Sequence, residues 1–316
     1  MAGELNDIRE RLEAELAPLE GEPRELDGGI TNRNFRVTLG GAEYVVRRPG
    51  KDTELLGIDR SAELLANEAA AALGVAPAVA ALVDGCLVTS FVACRALEQQ
   101  EVAAAVEEIA RALRAFHDSG VRLPTRFSVP ALLDDYAAIA QARGARLPNG
   151  YGAARAAAAR IVVSLPPSEQ RPCHNDLLAG NLIRADEGGR ILLVDWEYAG
   201  MGDARFDLGN LSVNNEFGES ADERLLRAYR GEPPSDAERA ALKLMRVLSD
   251  AREGAWGVVQ GAISELDFDF AGYAFEHFER LRATVARPDF EDWLDTAADA
   301  LPGVSGRERG ADGQAA

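Results

Sequence analysis

The hydrophobic and polar positions change period along the chain, and each change predicts an element. Leu5, Ile8, Leu12 and Leu16 recur at helical spacing and stop before Pro18 and Gly21, which predicts a short amphipathic helix packed on its own domain. Leu26 to Val37, carrying Gly28-Gly29, and then Ala42 to Gly50 predict two strands around a glycine-rich turn. A helix from about Ser61 to Leu73 ends at Gly74, and Val79 to Leu82 with Leu87 to Phe91 predicts a further strand pair. From Glu98 the pattern turns Ala-rich and helical, over Val102 to Phe116, Ala131 to Ala142 and Ala153 to Val163. Phe91-Val92-Ala93 falls between the strand-rich and the helix-rich parts and reads as a connector. The pattern therefore predicts an α+β chain with a small β-rich lobe over residues 1–92 and a larger, mostly helical lobe over 93–302. Residues 303–316 carry too few apolar groups to order and are expected to be disordered.

Composition narrows the partners. With 316 residues, 47% of them hydrophobic, the chain can bury two cores or one large two-lobed core. Its 34 Lys+Arg against 52 Asp+Glu give a formal charge of -18, which repels a phosphate backbone and an anionic membrane surface, so no nucleic-acid partner is expected. Cys86, Cys94 and Cys173 are odd in number and form no C-x-x-C pair, which indicates neither a disulfide framework nor a zinc site. No stretch has the length of a membrane span and the first residues lack an apolar leader, so a cytoplasmic location without membrane insertion is expected.

The candidate chemistry is concentrated in Cys173-His174-Asn175-Asp176-Leu177-Leu178-Ala179-Gly180-Asn181, followed by Ile191-Leu192-Leu193-Val194-Asp195. An Asp, an Asn five positions on, and a second Asp closing an apolar strand is the arrangement that kinase-type phosphoryl transfer requires. One carboxylate sits beside the accepting hydroxyl, while the amide and the other carboxylate hold the magnesium that neutralises the nucleotide phosphates. In the small lobe, Gly28-Gly29 would be an ordinary turn on its own. Ahead of a strand that carries a cation, it can lay backbone N–H groups of Gly29 over phosphates, with Thr31 and Asn32 adding side-chain donors. Arg47 and Glu63 are the candidates for the strand cation and its helix glutamate, with Arg48 and Glu68 as competitors. The exposed backbone of Phe91 and Val92 offers a donor and an acceptor to a nucleotide base. His117 and His277 are read as structural, and Asp207, ahead of Leu208-Gly209-Asn210, as a cap that holds a loop or helix start.

The loop from Cys173 to Asn181, with Asp195 to Asn210, resembles the choline/ethanolamine kinase family, which is grouped with the aminoglycoside phosphotransferases in the protein-kinase-like superfamily. Tyr44 to Lys51 with Asp59-Arg60 and Glu63 is similar to bacterial choline kinases, and Ala255 to Gln260 through Phe268, Phe270 and Tyr273 resembles the family's C-terminal helices. The resemblance runs from about Gly28 to about Arg282. It implies a two-lobed protein-kinase-like fold and ATP-dependent phosphorylation of a small amino alcohol, choline first and ethanolamine second, with ATP and Mg2+ as cofactors. It implies Asp176 as the base or hydroxyl-orienting carboxylate, Asn181 and Asp195 as the magnesium ligands, Arg47 with Glu63 as a phosphate-positioning ion pair, and His174 as a residue that orders the loop. On the acceptor side it implies Trp256 and Tyr273, with Phe268 and Tyr198 beside them, as aromatic faces for an ammonium group. The sequence departs from the eukaryotic members at Glu253, where they carry a cage tryptophan, and at Asn214, where they carry an acceptor-site glutamate. Glu253 keeps the attraction to a cation and can hydrogen-bond a primary ammonium. An aminoglycoside or other small-molecule phosphotransferase would share the loop. A protein kinase is disfavoured by Asp195-Trp196-Glu197 in place of D-F-G, and a nucleotide-binding pseudokinase by the joint presence of Asp176, Asn181 and Asp195. Oligomeric state and the choice between ATP and GTP are left open.

Overall fold

The computed structural model describes residues 5–26 and 32–298. Gly29 and Thr31, and the tail 303–316, lie outside the described residues.

The small lobe begins with α1 (Arg9–Glu15) and a five-stranded antiparallel sheet of β1 (Leu19–Leu26), β2 (Arg33–Leu39), β3 (Ala42–Arg48), β4 (Val79–Val83) and β5 (Cys86–Ser90), in the order β1-β2-β3-β5-β4. Phe35, Val37 and Leu39 alternate onto one face of β2 and, with Val46 and Val88, close a core under Leu5, Ile8 and Leu12. Because Val46 faces that core, Arg47 points to the opposite face of β3, toward α2 (Arg60–Ala72) and its buried Glu63. Asp59 caps α2 by accepting from the Ser61 and Ala62 amides.

Strand β1 departs from the sequence expectation, which began the strands at Leu26. Gly21 and Pro23 interrupt its pattern, yet it sits at the sheet edge with a register irregularity between Glu20 and Arg24, where a proline removes no needed ladder bond.

The larger lobe is helical: α3 (Gln99–Ala104), α4 (Val106–His117), α5 (Val129–Ala142), α6 (Gly150–Ser164), α7 (Ala204–Asn214), α8 (Glu219–Arg230), α9 (Asp236–Ile263), α10 (Phe270–Val285) and α11 (Phe290–Ala298). The single helix predicted from Val102 to Phe116 is two, broken at Ala105, and a capping box of Glu98 and Glu101 starts the first of them at Gln99. Helix α9 is the hub, packing against α5, α6, α7, α10 and α11. Two glycines permit this. A Cβ on Gly209 of α7 would come within 2.6 Å of the Met245 carbonyl carbon, and one on Gly254 of α9 within 2.6 Å of the Phe278 ring. No described helix is long and apolar enough to cross a membrane.

Two small sheets set the segment from Cys173 to Asp195. Strand β7 (Gln170–Cys173) pairs with β10 (Gly200–Asp203), aligning Cys173 with Gly200, and β6 (Cys94–Ala96), β8 (Leu182–Ala185) and β9 (Ile191–Leu193) form a three-stranded sheet in the order β6-β8-β9. Pairing of Leu182 with Leu193 carries Asn181 and Val194 side by side, with the Val194 amide on the Asn181 carbonyl at 3.0 Å. Residues distant in sequence thus reach one place.

Candidate active site

The loop after β7 is held from below by helix α7. Both oxygens of the buried Asp207 carboxylate accept backbone amides, from His174 and Asn175, each at 2.8 Å. The Asn210 side chain accepts from the Leu177 amide at 2.5 Å, and Asn215 donates to the Leu177 carbonyl at 2.9 Å. Asn175 and Asp195 both adopt left-handed backbone (φ 67° and 70°), a strained state for non-glycine residues that this scaffold maintains. Asp207 is not the cap of α7; that residue is Asp203.

His117 completes the support, with Nε2 on Asp207 at 2.9 Å and Nδ1 on the Tyr229 hydroxyl at 2.7 Å. Burial opposes the Asp207 charge, but His117, His174 and the amides outweigh it and hold the carboxyl below its usual range. His117, Cys173 and Asp207 lie close enough to suggest a metal trio. Asp207 and His117 are already committed to each other and to the loop, and the Cys173 thiol, whose pKa burial pushes up, bonds the Arg171 carbonyl at 3.4 Å. Asp207→Ala is expected to lower the unfolding free energy by about 2–4 kcal/mol, since it strands two buried amides and His117. A urea midpoint equal to that of the wild type would remove this role.

His174 is fully buried; its Nδ1 accepts the Asp176 amide at 3.3 Å and its Nε2 meets the Val194 carbonyl at 3.0 Å. Burial pulls its pKa down, so the ring is neutral. Asp176, 8% exposed, receives the Asn181 side-chain amide on Oδ2 at 2.9 Å and Arg252 Nη1 on Oδ1 at 3.2 Å. Burial pushes the Asp176 carboxyl up to about 7, against the pull of Arg252.

On the nucleotide-lobe side, Arg47 forms an ion pair with Asp195 and lies 3.7 Å from Glu197 and 3.9 Å from Glu63. The close partner of Glu63 is Arg60, at 2.6 Å. Burial works against the Arg47 charge, but Asp195, Glu197 and Glu63 raise its pKa. Of the competitors, Arg48 turns outward to Asp7 at 2.7 Å, and Glu68 is exposed. Asn32 is buried and donates from Nδ2 to Glu197 at 2.9 Å, so that its amide is directed into this cluster. The Phe91 amide donates to the Glu43 carbonyl, its ring lies under Arg36, and the Ala93 carbonyl accepts from Asp186.

The donors near Asp195 fit a magnesium ion. Asn181 spends its Nδ2 on Asp176, which leaves its amide oxygen, and the Asp195 carboxylate is held beside it by Arg47 through Oδ1. One amide oxygen and one carboxylate are hard oxygen donors of the kind Mg2+ takes together with phosphate oxygens and water.

Among the candidate aromatic residues, Trp256 donates from Nε1 to the Tyr198 hydroxyl at 2.8 Å and meets Tyr273 and Phe270 edge to face. Phe268 is 39% exposed and packs on Phe270, outside the buried group. Glu253 is buried, with Oε1 on Arg252 at 2.8 Å and Oε2 on the Tyr273 hydroxyl at 2.8 Å; burial pushes its pKa up, but Arg252 and its other partners hold it below the usual range. His277 packs on Tyr273 and bonds Asp250 at 3.0 Å. Asn214 lies 3.5 Å from Glu253. A cleft of about 700 Å³ opens nearby, between the segment Arg48 to Thr53 and the end of α9 at Gln260 and Ile263, but Asp176 and Asp195 do not line it. The polar groups, not that volume, mark the chemistry.

Sequence reasoning missed Arg252, Glu197 and Asn210. The small-residue face of Gly254, Gly257 and Gly261 on the same helix marks its packing against α10, and Arg252 lies away from that face, so no local signal singled it out.

A two-lobed kinase-like scaffold whose loop gathers Asp176, Asn181 and Asp195 under a strand arginine has many counterparts. The chain belongs to the phosphotransferase enzyme family, whose sequence model matches residues 22–244. Within it the chain belongs to the choline/ethanolamine kinase family, being 31% identical to a choline/ethanolamine kinase family protein from Mesorhizobium loti over 92% of this chain and 99% of that one, with a TM-score of 0.77. The choline kinase LicA from Streptococcus pneumoniae is 25% identical over 89% of this chain and 98% of that one, with a TM-score of 0.71. Protein LicA of Haemophilus influenzae is 27% identical over 64% of this chain, and the match spans 61% of that protein's length.

Proposed function

We propose that this phosphotransferase uses ATP to phosphorylate the hydroxyl of a small amino alcohol, choline ahead of ethanolamine. The observation that carries the reading is the meeting of a buried carboxylate, Asp176, with Asn181 at 2.9 Å, next to an Asp195 already paired with Arg47. Asp176 orients the acceptor hydroxyl and takes its proton. Asn181 and Asp195 hold Mg2+, which when bound neutralises charge on the nucleotide phosphates. Arg47 positions those phosphates. The nucleotide base lies against the Phe91-Val92 connector, whose exposed backbone offers it a donor and an acceptor. In this reading residues 1–92 bind the nucleotide phosphates and 93–302 carry catalysis and the acceptor.

The order of acceptors rests on Glu253. Both of its oxygens are engaged, by Arg252 and Tyr273, so it offers charge more readily than a free hydrogen bond. A quaternary ammonium needs only charge and aromatic faces, and Tyr198, Trp256 and Tyr273 supply the latter. Coupled ADP release against choline, ethanolamine, thiamine and an aminoglycoside tests class and substrate together. Turnover with the aminoglycoside alone would replace the amino-alcohol reading. Trp256→Ala is expected to raise the KM for choline about ten-fold and leave the KM for ATP alone; an unmoved choline KM would remove Trp256 from the acceptor site.

A further inference from the structure

Arg252 is 1% exposed, and burying a guanidinium is costly unless its charge and its donors are matched. Only Nη1 is spent, on Asp176 Oδ1 at 3.2 Å and Glu253 Oε1 at 2.8 Å. Its Cζ sits 4.4 Å over the Tyr198 ring, which supports the face of the group. The N–H bonds of a guanidinium lie in its own plane, so a ring beneath the face does not use them. Nε and Nη2, which carry most of its N–H groups, are buried without a hydrogen-bond partner among the described residues. Unspent donors on a permanent cation call for oxygen, and preferably for negative charge, during the working cycle. A cationic acceptor head would be repelled by them.

One anion must reach this place in a phosphotransferase. The acceptor hydroxyl lies at Asp176, so the phosphorus it attacks passes within reach of a guanidinium that touches the same carboxylate. We propose that Arg252 binds the nonbridging oxygens of the phosphoryl group in transit and then those of the product monoester, acting as a catalytic cation on the acceptor side opposite Arg47. This rests on the phosphotransferase reading above. In the step, the acceptor oxygen bonds to the γ-phosphorus and the bond from that phosphorus to the β,γ-bridging oxygen breaks. ADP leaves with the electron pair, and the hydroxyl proton passes to Asp176. Arg252 keeps its protons and donates hydrogen bonds only, stabilising charge where it develops.

The test compares the wild type with Arg252→Gln and Arg252→Lys. It reads kcat, both KM values, thermal midpoints, and ADP affinity with Mg2+ in the presence and absence of aluminium fluoride, a phosphoryl mimic that needs no acceptor. Arg252→Gln is expected to lower kcat by about 10²–10³-fold, hold the KM for ATP within about threefold, and abolish the tightening of ADP binding by aluminium fluoride. Arg252→Lys should recover part of both, since it restores charge without the fork. The proposal is overturned if tightening persists in Arg252→Gln, if only the acceptor KM moves, or if the wild type shows no tightening. Should Arg252→Gln fail to fold, Arg252→Lys decides, and wild-type kcat and tightening there overturn the proposal. Failure of the amino-alcohol reading looks different: a wild type inert toward choline and ethanolamine that still forms the aluminium fluoride complex.

Discussion

Asp176→Asn is expected to lower kcat by about 10²-fold or more while leaving Mg·ATP affinity within about threefold. The substitution is nearly isosteric and keeps an oxygen for Arg252, so the loop held by Asp207 and Asn210 should stand as it does now. What it removes is the proton acceptor beside the incoming hydroxyl, together with the oxygen that accepts from Asn181 Nδ2, which keeps its bond to the Asp176 carbonyl at 2.8 Å. Steady-state ADP release, with nucleotide affinity measured by calorimetry, checks the two halves separately. Wild-type turnover would take Asp176 out of the mechanism, whereas a matching loss of nucleotide affinity would point to collapse of the metal site through its bond to Asn181.

Asp195→Ala is expected to abolish the magnesium-dependent part of nucleotide binding, a loss of about 10²-fold or more in affinity. An octahedral ion held by few protein groups cannot spare a carboxylate. A second consequence follows from the ion pair with Arg47: without Asp195 the guanidinium is left to Glu197 and Glu63, 3.7 and 3.9 Å away. Nucleotide titrations with and without Mg2+ separate the two effects, because misplacement of Arg47 weakens binding in both and metal loss only in one. Equal Mg·ATP affinity in variant and wild type would sink the assignment of Asp195 to the metal.

The loop from His174 to Asn181 was readable because its geometry is local: the short-range spacing of Asp176 and Asn181 is closed by a single turn, Ala179–Asn181, and by one side-chain bond. Arg47 was separable from Arg48 only in part. Strand alternation puts neighbours on opposite faces, but which face meets α2 depends on where α1 covers the sheet. Arg252 beside Glu253 looks in sequence like a surface charge pair on an Ala-rich helix. It is buried against the Tyr198 ring and the carboxylates of Asp176 and Glu253, and it reaches Asp176 from 76 positions away.

By itself, then, the sequence determined the α+β class, the helices α2, α5 and α6 and the short-range spacing of Asp176 and Asn181, since period, turn chemistry and short-range spacing act over a few residues and are written in order along the chain. Tertiary structure alone decided that Arg60 rather than Arg47 is the near partner of Glu63, that Asp207 grips the loop instead of capping its helix, and that a buried Arg252 divides itself between the carboxylates of Asp176 and Glu253. These pairings depend on which faces of helices and strands meet. Charges buried at such a meeting take the partners that packing brings within reach, because in the interior no water is left to hold them apart.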